Sequence, residues 1–306
     1  MNRPPPHTIR SLLFSGRRQL QQAGLAQASW DALILLAFLL NQEKEFVLSH
    51  PDQMIPAARV ARFQKLLLAR QQRTPLQYLC GTQEFWGRTF RVNPAVLIPR
   101  PETELLVERA LACREKLKNL AQGGPLRVAD IGTGSGCLAI TLALELEGSS
   151  VLALDCSASA LRTARRNARA LAPSREIRFI RSDLVPPARA RKAAGPFHLL
   201  VSNPPYVALG DKAGLDPEVR DFEPEEALFG GPDGLDVIRR IVPAAGELLV
   251  PGGLLLLEIG LGQSEAVLTL LAGNHWETKQ VWPDLQGIPR CVEAWRKDCA
   301  TGIHAL

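Results

Sequence analysis

Beyond residue 126 the sequence alternates between short apolar runs and longer stretches with helical spacing. Such alternation is typical of a parallel sheet with helices on both faces, so we predict a doubly wound α/β domain. Ligands bind to these sheets at the carboxyl ends of the strands, and candidate site residues are therefore sought there. The predicted strands are Arg127–Ile131, Val151–Leu154, Ile177–Ile180, Phe197–Val201 and Leu254–Ile259.

The first 82 residues carry a helical pattern instead. Val60, Phe63 and Leu67 recur at spacings of three and four residues, and Ala32–Leu40 has the composition of a buried helix. Next come β-forming residues around Gly87, which predict a hairpin or two short strands. We expect the helical part to dock a partner or to cover the larger domain. The predicted divisions are a helical bundle over 1–82, a β-hairpin joint over 83–98 and the α/β domain over 99–306.

Composition excludes several classes of protein. With 46% hydrophobic and 22% charged residues among 306, the chain is globular and not largely disordered. No apolar run reaches the roughly 18 residues that a membrane span needs, so no membrane contact is expected. The six cysteines form no Cys-x-x-Cys pair, and no metal site is predicted. Scattered cysteines without a secretory signal favour a reducing, cytoplasmic setting.

The start of the chain is basic. No acidic residue precedes Asp31, whereas Arg3, Arg10, Arg17 and Arg18 do. This pattern fits an organellar transit peptide or the amphipathic first helix of a folded domain, and we favour the helix. The net charge of the whole chain is +5, which is compatible with a partner near RNA and equally with an ordinary solvated surface.

A glycine-rich segment follows the first predicted strand of the α/β domain. Glycines at this place let the backbone turn tightly and approach a ligand at a helix N-terminus. The spacing Gly-x-Gly-x-Gly differs from the Gly-x-Gly-x-x-Gly of dinucleotide enzymes, and Asp130 precedes it by two positions. The cofactor-binding residues predicted here are Gly132, Thr133, Gly134, Ser135 and Gly136.

Two further carboxylates end the next two predicted strands. Asp155 is placed to accept hydrogen bonds from both ribose hydroxyls of a nucleoside. Asp183 could receive an adenine amino group, with Leu184 packing on the ring. Any one of these residues could be a helix cap or a solvated strand end. Their coincidence at three strand ends indicates a nucleoside-binding site.

The fourth predicted strand is followed by Asn203-Pro204-Pro205-Tyr206. An amide or aryl-amine nitrogen is a poor nucleophile because its lone pair is delocalised, and acceptors for its N–H bonds aim that lone pair. The side-chain oxygen of Asn203 and the carbonyl of Pro204 supply two acceptors from one turn, which the prolines make rigid. Tyr206 offers a flat face to a planar group. We predict Asn203, Pro204 and Tyr206 as catalytic residues, and the whole turn as the substrate site.

The glycine loop together with the Asn-Pro-Pro-Tyr turn resembles the amino-group methyltransferases that use S-adenosylmethionine. Several other segments resemble, more narrowly, the release-factor glutamine methyltransferases, and this resemblance covers nearly the whole chain. Leu184 departs from it, because members often have an aromatic residue there. The segments are Phe85-Trp86-Gly87, Ile98 to Glu104, Glu223 to Leu228, Gly230 to Leu235, Glu258-Ile259-Gly260 and Asp284 to Arg290.

The resemblance implies a Rossmann-like class I methyltransferase domain. It also implies methylation of the glutamine in the Gly-Gly-Gln motif of peptide chain release factors, with S-adenosylhomocysteine as the product. By motif, Gly132 to Gly136, Asp155 and Leu184 would hold the cofactor, while Asn203 to Tyr206 would hold the glutamine. Asn203 is also expected to contact the cofactor. We expect a monomer that needs no direct nucleic-acid contact.

Three alternatives remain. A related enzyme acts on a glutamine of a large-subunit ribosomal protein, but its proline loop reads more like Pro-Arg-Ser-Pro than the sequence from Pro99 to Glu104. An adenine-amine methyltransferase would normally carry a basic, aromatic recognition region, which the front domain lacks. A non-enzymatic binding module would have no need for the acceptor pair at Asn203 and Pro204.

Overall fold

The structure is a computed structural model that describes residues 7–273 and 275–297. Arg3, within the basic start of the chain, lies outside the described residues. Two compact units are present. The first comprises the described part of Met1–Thr82 together with Asp216–Phe222, and the second comprises Gln83–Leu215 and the described part of Glu223–Leu306. No sequence signal pointed to the inclusion of residues 216–222 in the first unit.

The elements are numbered in chain order. The helices are α1 Ile9–Gln22, α2 Ala28–Leu40, α3 Lys44–Ser49, α4 Ala57–Gln71, α5 Leu76–Cys80, α6 Glu104–Ala112, α7 Arg114–Leu120, α8 Cys137–Glu145, α9 Ala158–Leu171, α10 Ala188–Ala194, α11 Pro217–Phe222, α12 Glu225–Leu228, α13 Asp236–Leu248 and α14 Ser264–Leu270. The strands are β1 Thr82–Phe85, β2 Arg88–Arg91, β3 Leu126–Ile131, β4 Ser149–Asp155, β5 Glu176–Arg181, β6 Phe197–Ser202, β7 Leu249–Glu258, β8 Trp276–Pro283 and β9 Pro289–Arg296.

Helices α1, α2 and α4 form the core of the first unit. α1 begins with a capping box, in which the Thr8 hydroxyl accepts from the Ser11 backbone N–H and the Ser11 hydroxyl from that of Thr8. α2 is apolar on nearly all sides, and most of its residues are buried. No helix in the described part of the chain is long and apolar enough to cross a membrane.

A buried arginine binds α11 into the first unit. Arg70 of α4 donates to Asp31 of α2 at 2.7 Å and to Glu218 of α11 at 2.6 Å. The side chains of Arg70 and Asp31 are only 7% and 4% exposed, so removing Arg70 would leave the buried Asp31 carboxylate uncompensated. The segment that follows the Asn-Pro-Pro-Tyr turn in sequence therefore contributes to the helical unit.

The hairpin predicted near Gly87 is present as the two-stranded sheet of β1 and β2. Trp86 and Gly87 connect the strands, and both have positive φ, 52° and 65°. Positive φ at both central residues is the geometry of a type I′ turn, whose twist matches that of the flanking strands. Trp86 therefore adopts a backbone conformation that bulky residues rarely take.

The second unit is built on a seven-stranded sheet with the order β5-β4-β3-β6-β7-β9-β8. The pairs from β5 to β7 are parallel. Two apolar clusters of the sheet and helices form its core, as expected for a doubly wound fold. The predicted α/β class is thus confirmed. The chain runs from β3 through β4 to β5 on one side and then returns to β6 on the other side of β3. This reversal creates the switch point where such sheets bind ligands.

The sheet also contains two strands that the sequence pattern did not reveal. β9 pairs antiparallel with β7 and with β8. The five predicted strands thus account for the parallel part of the sheet and do not include these two. β8 and β9 pair antiparallel because only residues 284–288 separate them. A segment this short can form a hairpin, whereas a crossover to a parallel strand needs a dozen or more residues.

Candidate active site

A cleft lies at the carboxyl ends of β3, β4, β5 and β6. Its volume is about 170 Å³. Most of the predicted site residues meet in it, but Gly136 and Tyr206 are not among those that line it. The predicted residues that line the cleft are Gly132, Thr133, Gly134, Ser135, Asp155, Asp183, Leu184, Asn203, Pro204 and Pro205.

The three glycines after β3 have different surroundings. All have positive φ, at 75°, 54° and 84° for Gly132, Gly134 and Gly136. A Cβ added at Gly132 would make only an ordinary van der Waals contact, 3.9 Å from the Asn203 carbonyl oxygen. A Cβ at Gly136 would lie 3.0 Å from Ile140 Cδ1 and 3.2 Å from the Ala164 Cβ. Gly132 and Gly134 thus face the cleft, whereas Gly136 allows α8 to pack against α9.

Asp130, the residue before the last one of β3, holds this loop through hydrogen bonds. Its Oδ2 accepts from the Thr133 hydroxyl at 2.6 Å and from the Ala139 backbone N–H at 3.1 Å. The side chain is fully buried, and this burial raises its pKa to about 7. Asp130 does not line the cleft, so its role is to hold the loop and the first turn of α8.

Asp155 ends β4 and lines the cleft. Its Oδ2 accepts from the Gly134 backbone N–H and its Oδ1 from that of Ser157, each at 2.8 Å. Each oxygen has further acceptor capacity, which suits a vicinal diol such as that of a ribose. Burial raises the pKa of this carboxyl above its usual range, and the two N–H donors counteract that shift.

The residues after β5 form one end of the cleft. Leu184 has a φ of 64°, a left-handed conformation unfavourable for a residue with a Cβ by about 1 to 2 kcal/mol. Asp183 is exposed, and its Oδ2 accepts from Arg240 Nη2 at 2.6 Å. An adenine amino group would therefore share this carboxylate with Arg240.

The Asn203 side chain is oriented by a residue far away in sequence. Its Nδ2 donates to Thr103 Oγ1 at 3.0 Å, and the Thr103 hydroxyl in turn donates to Glu258 Oε2 at 2.6 Å. Because the amide nitrogen is engaged on this side, Asn203 Oδ1 remains as an acceptor. The hydrogen bond to Thr103 therefore fixes which side of the Asn203 amide carries the oxygen that the sequence analysis assigned as an acceptor.

Glu258 also holds Tyr206. The Tyr206 hydroxyl donates to Glu258 Oε1 at 3.1 Å, so both oxygens of this buried carboxyl accept a hydroxyl. Burial raises the pKa of Glu258 to about 7, and burial followed by the charge of Glu258 raises the pKa of Tyr206 well above its usual range. Tyr206 is anchored by its hydroxyl, and its ring is not among the residues that line the cleft.

The turn that contains Asn203 is also braced by its backbone. Gln263 Nε2 donates to the Tyr206 carbonyl at 2.9 Å, while the Gly260 N–H donates to Gln263 Oε1 at 2.9 Å. A Cβ at Gly230 would overlap the Pro205 carbonyl, and one at Gly234 would overlap the Tyr206 carbonyl. Glycine is therefore required at both positions for this close approach.

Thr103, Glu258 and Gln263 were not identified as site residues from the sequence. One signal was available for Glu258, because it ends β7 and polar residues at strand ends had marked the other candidates. Thr103 lies 100 residues before Asn203, and no local pattern connects the two.

The lining residues fit an S-adenosylmethionine-like nucleoside. Asp155 offers two acceptors, Leu184 offers an apolar surface, and the backbone of Gly132 borders the cleft. Asn203 and Pro204 line the same cleft as Asp155 and Leu184. This arrangement can hold a planar amide or amine next to a bound cofactor.

Comparison with known proteins agrees with this geometry. Residues 11–81 match the model of the PrmC N-terminal domain, and residues 112–215 match that of the methyltransferase small domain. A release factor glutamine methyltransferase of Koribacter versatilis is 39% identical over 93% of this chain and 97% of its own length. One from Nitratidesulfovibrio vulgaris is 39% identical over 94% of this chain and 95% of its own length.

A solved structure is similar in fold. The catalytic domain of hMettl16, in complex with the MAT2A 3′UTR hairpin 6, aligns with a TM-score of 0.52 at 17% sequence identity. The alignment covers 85% of this chain and 92% of that domain. At this level of identity the likeness concerns the fold alone.

Proposed function

The chain belongs to the family of release factor glutamine methyltransferases, and from this membership we propose that it methylates a glutamine side-chain amide in peptide chain release factors. It is an S-adenosylmethionine-dependent methyltransferase. The proposed acceptor is the glutamine of the Gly-Gly-Gln motif. The observation that carries this proposal is the fixed Asn203 amide, whose nitrogen donates to Thr103 and whose oxygen remains available beside the cofactor cleft.

Asn203 and Pro204 would hold the glutamine amide. We propose that one N–H of the substrate donates to Asn203 Oδ1 and the other to the Pro204 carbonyl. These bonds orient the nitrogen lone pair, which resonance otherwise spreads into the carbonyl. S-adenosylmethionine supplies, when bound, an electrophilic methyl group on a sulfonium. No strong base is needed, because the amide proton becomes acidic once the nitrogen carries the methyl group and then passes to water.

The rest of the turn keeps this geometry fixed before the substrate arrives. Pro204 and Pro205 restrict the backbone, and Glu258 anchors Thr103 and Tyr206 through two hydroxyls. Orientation prepared in advance lowers the entropy lost at the moment of reaction. We propose Asn203 and Pro204 as the residues in contact with the reacting amide. Tyr206, predicted as a third catalytic residue, would instead hold the turn in place through its hydrogen bond to Glu258.

The cofactor would lie across the glycine loop. We propose that Gly132, Thr133, Gly134, Ser135 and Asp155 hold the amino acid and ribose portions, and that Asp183 and Leu184 contact the adenine. Gly136, predicted with them, would act instead by letting α8 pack against α9. Asn203 would touch both ligands. The product would be S-adenosylhomocysteine. We further propose that the enzyme acts in the cytoplasm as a monomer on a protein substrate, with no need for nucleic acid in catalysis.

Transfer of labelled methyl groups tests the substrate class. The purified chain is incubated with labelled S-adenosylmethionine and, separately, a release factor, large-subunit ribosomal proteins, or nucleic acid. Label is expected on the release factor. Label on ribosomal protein or nucleic acid alone would leave the methyltransferase activity intact and contradict the proposed substrate. The Asn203→Ala variant, run in parallel, controls for a contaminating enzyme.

A further inference from the structure

The second unit contains one strongly basic segment. Residues 158–181 contain seven arginines and a single acidic residue, Glu176, which is a formal net charge of +6. The first 82 residues also carry +6, and because the whole chain carries +5, all other residues together carry −7. A local excess of this size creates a field that attracts anions even where the overall charge is modest.

Helix α9 presents four of these arginines together. Arg162, Arg165, Arg166 and Arg169 follow the spacing i, i+3, i+4, i+7, and all four are exposed. The opposite side of the helix is buried against the sheet. The four guanidinium groups therefore share one helix face that extends over about 10 Å.

Part of this face borders a groove beside β5, an edge strand of the seven-stranded sheet. The groove has a volume of about 380 Å³. Arg165, Arg169 and Arg175 line it together with Ile177 and Phe179, which are half-buried. We call these five residues the basic groove. None of them lines the cleft that contains the glycine loop.

The nearby carboxylates are already engaged elsewhere. Glu176 pairs with Arg178 at 2.6 Å, and Asp183 pairs with Arg240 at 2.6 Å. Within the groove, Arg165 Nη2 donates to the Phe179 carbonyl at 2.9 Å, which holds that guanidinium against the strand edge. The groove arginines are thus not neutralised by these acids.

We propose that the basic groove binds a single strand of RNA through its phosphates. Guanidinium groups match phosphate oxygens in a bidentate geometry, and a row of them suits a continuous polyanion better than isolated carboxylates. The apolar floor with Phe179 gives a surface on which a base can stack, as in other single-strand binding grooves. The choice of RNA rests on the proposed function, because a translation enzyme encounters RNA. The description of the groove does not depend on that function.

Fluorescence anisotropy with a labelled uridine oligomer tests this proposal on the intact chain. In the variant Arg165→Gln/Arg169→Gln/Arg175→Gln, affinity at low salt is expected to fall roughly tenfold or more. The slope of log affinity against log salt concentration should decrease by about 2, because each lost phosphate contact on a single strand contributes about 0.7. Methyl transfer to a release factor should be unchanged, which separates this test from that of the proposed function.

A matched variant controls for the loss of charge alone. Arg17→Gln/Arg18→Gln/Arg59→Gln removes three exposed charges from α1 and α4 and should keep most of the RNA affinity. Thermal unfolding of both variants checks that each is folded. Absence of RNA binding by the unaltered chain, or equal weakening in the two variants, would overturn the proposal. Binding of a polyglutamate peptide as tightly as RNA would assign the groove to an acidic protein instead.

Discussion

Asn203 Nδ2 and Thr103 Oγ1 are 3.0 Å apart, and this hydrogen bond connects the turn after β6 to the segment before α6. The Thr103 hydroxyl in turn donates a hydrogen bond to Glu258, which also accepts one from the Tyr206 hydroxyl. The orientation of the Asn203 amide therefore depends on two segments that are remote from it in sequence, the one before α6 and the end of β7. In our account Thr103 is a positioning residue, since it acts on the substrate through Asn203.

Replacing Thr103 with valine keeps the shape of the side chain and removes both hydrogen bonds. The Asn203 amide is then free to rotate, and we expect kcat to fall by roughly tenfold to a hundredfold, as misplacement of a reacting group can cause. S-adenosylmethionine affinity, measured by calorimetry, should change little. Thr103→Ser retains the hydroxyl and should restore most of the rate. A Thr103→Val enzyme with an unaltered kcat would refute the positioning role.

Asn203→Ala removes the proposed acceptor itself. We expect kcat to fall by about a hundredfold or more, the loss typical of removing one hydrogen-bonding group that stabilises a transition state. Most of the cofactor affinity should remain, because the glycine loop and Asp155 are intact. Single-turnover kinetics and a cofactor titration separate the two quantities. Parallel losses of rate and cofactor affinity would contradict this division of roles.

The buried carboxyl of Glu258 predicts a pH dependence of stability. Its pKa is raised by burial to about 7, so between about pH 4.5 and pH 7 the folded protein keeps a proton that the unfolded chain has released. The contribution of Glu258 to the free energy of unfolding therefore decreases as the pH rises through this window. Glu258→Gln removes the titration.

We expect the stability of Glu258→Gln relative to the unaltered chain to increase with pH by up to about 1.4 kcal/mol per unit. Urea unfolding of both proteins at several pH values measures this difference. Asp130 also has a raised pKa, but it is present in both proteins and cancels. A stability difference that stays constant across the window would show that Glu258 does not titrate there.

Gly136 and Gly148 form a matched pair for testing the glycine loop. Their φ values are 84° and 77°, so alanine strains the backbone similarly at both. A Cβ at Gly136 meets Ile140 at 3.0 Å, whereas one at Gly148 meets nothing within 4 Å. We expect Gly136→Ala to lower the free energy of unfolding by about 1 to 3 kcal/mol more than Gly148→Ala. Equal losses in urea unfolding would mean that α8 and α9 adjust to the extra methyl group.

Local patterns were sufficient to predict the parallel part of the sheet. Buried strands such as β4 and β6 are nearly continuous apolar runs, and the polar residues that end them mark the cleft. Asp155 and Asn203 could be identified in this way because the carboxyl ends of parallel strands meet at one edge.

Contacts between distant segments could not be read from local patterns. Thr103 meets Asn203 only because the segment before α6 passes beside the turn after β6. Likewise, Glu218 joins the helical unit through Arg70, from which it is separated by 148 residues. β8 was missed because most of its residues are exposed or half-buried, which weakens the apolar signal of a strand.

The most direct test of the central claim is methyl transfer to one glutamine. The chain is given labelled S-adenosylmethionine and either an intact release factor or a variant in which the glutamine of Gly-Gly-Gln is replaced. Label on the intact factor alone, located on that glutamine by peptide mass spectrometry, is the result that our account predicts. Equal labelling of both factors, or labelling of neither, would contradict it.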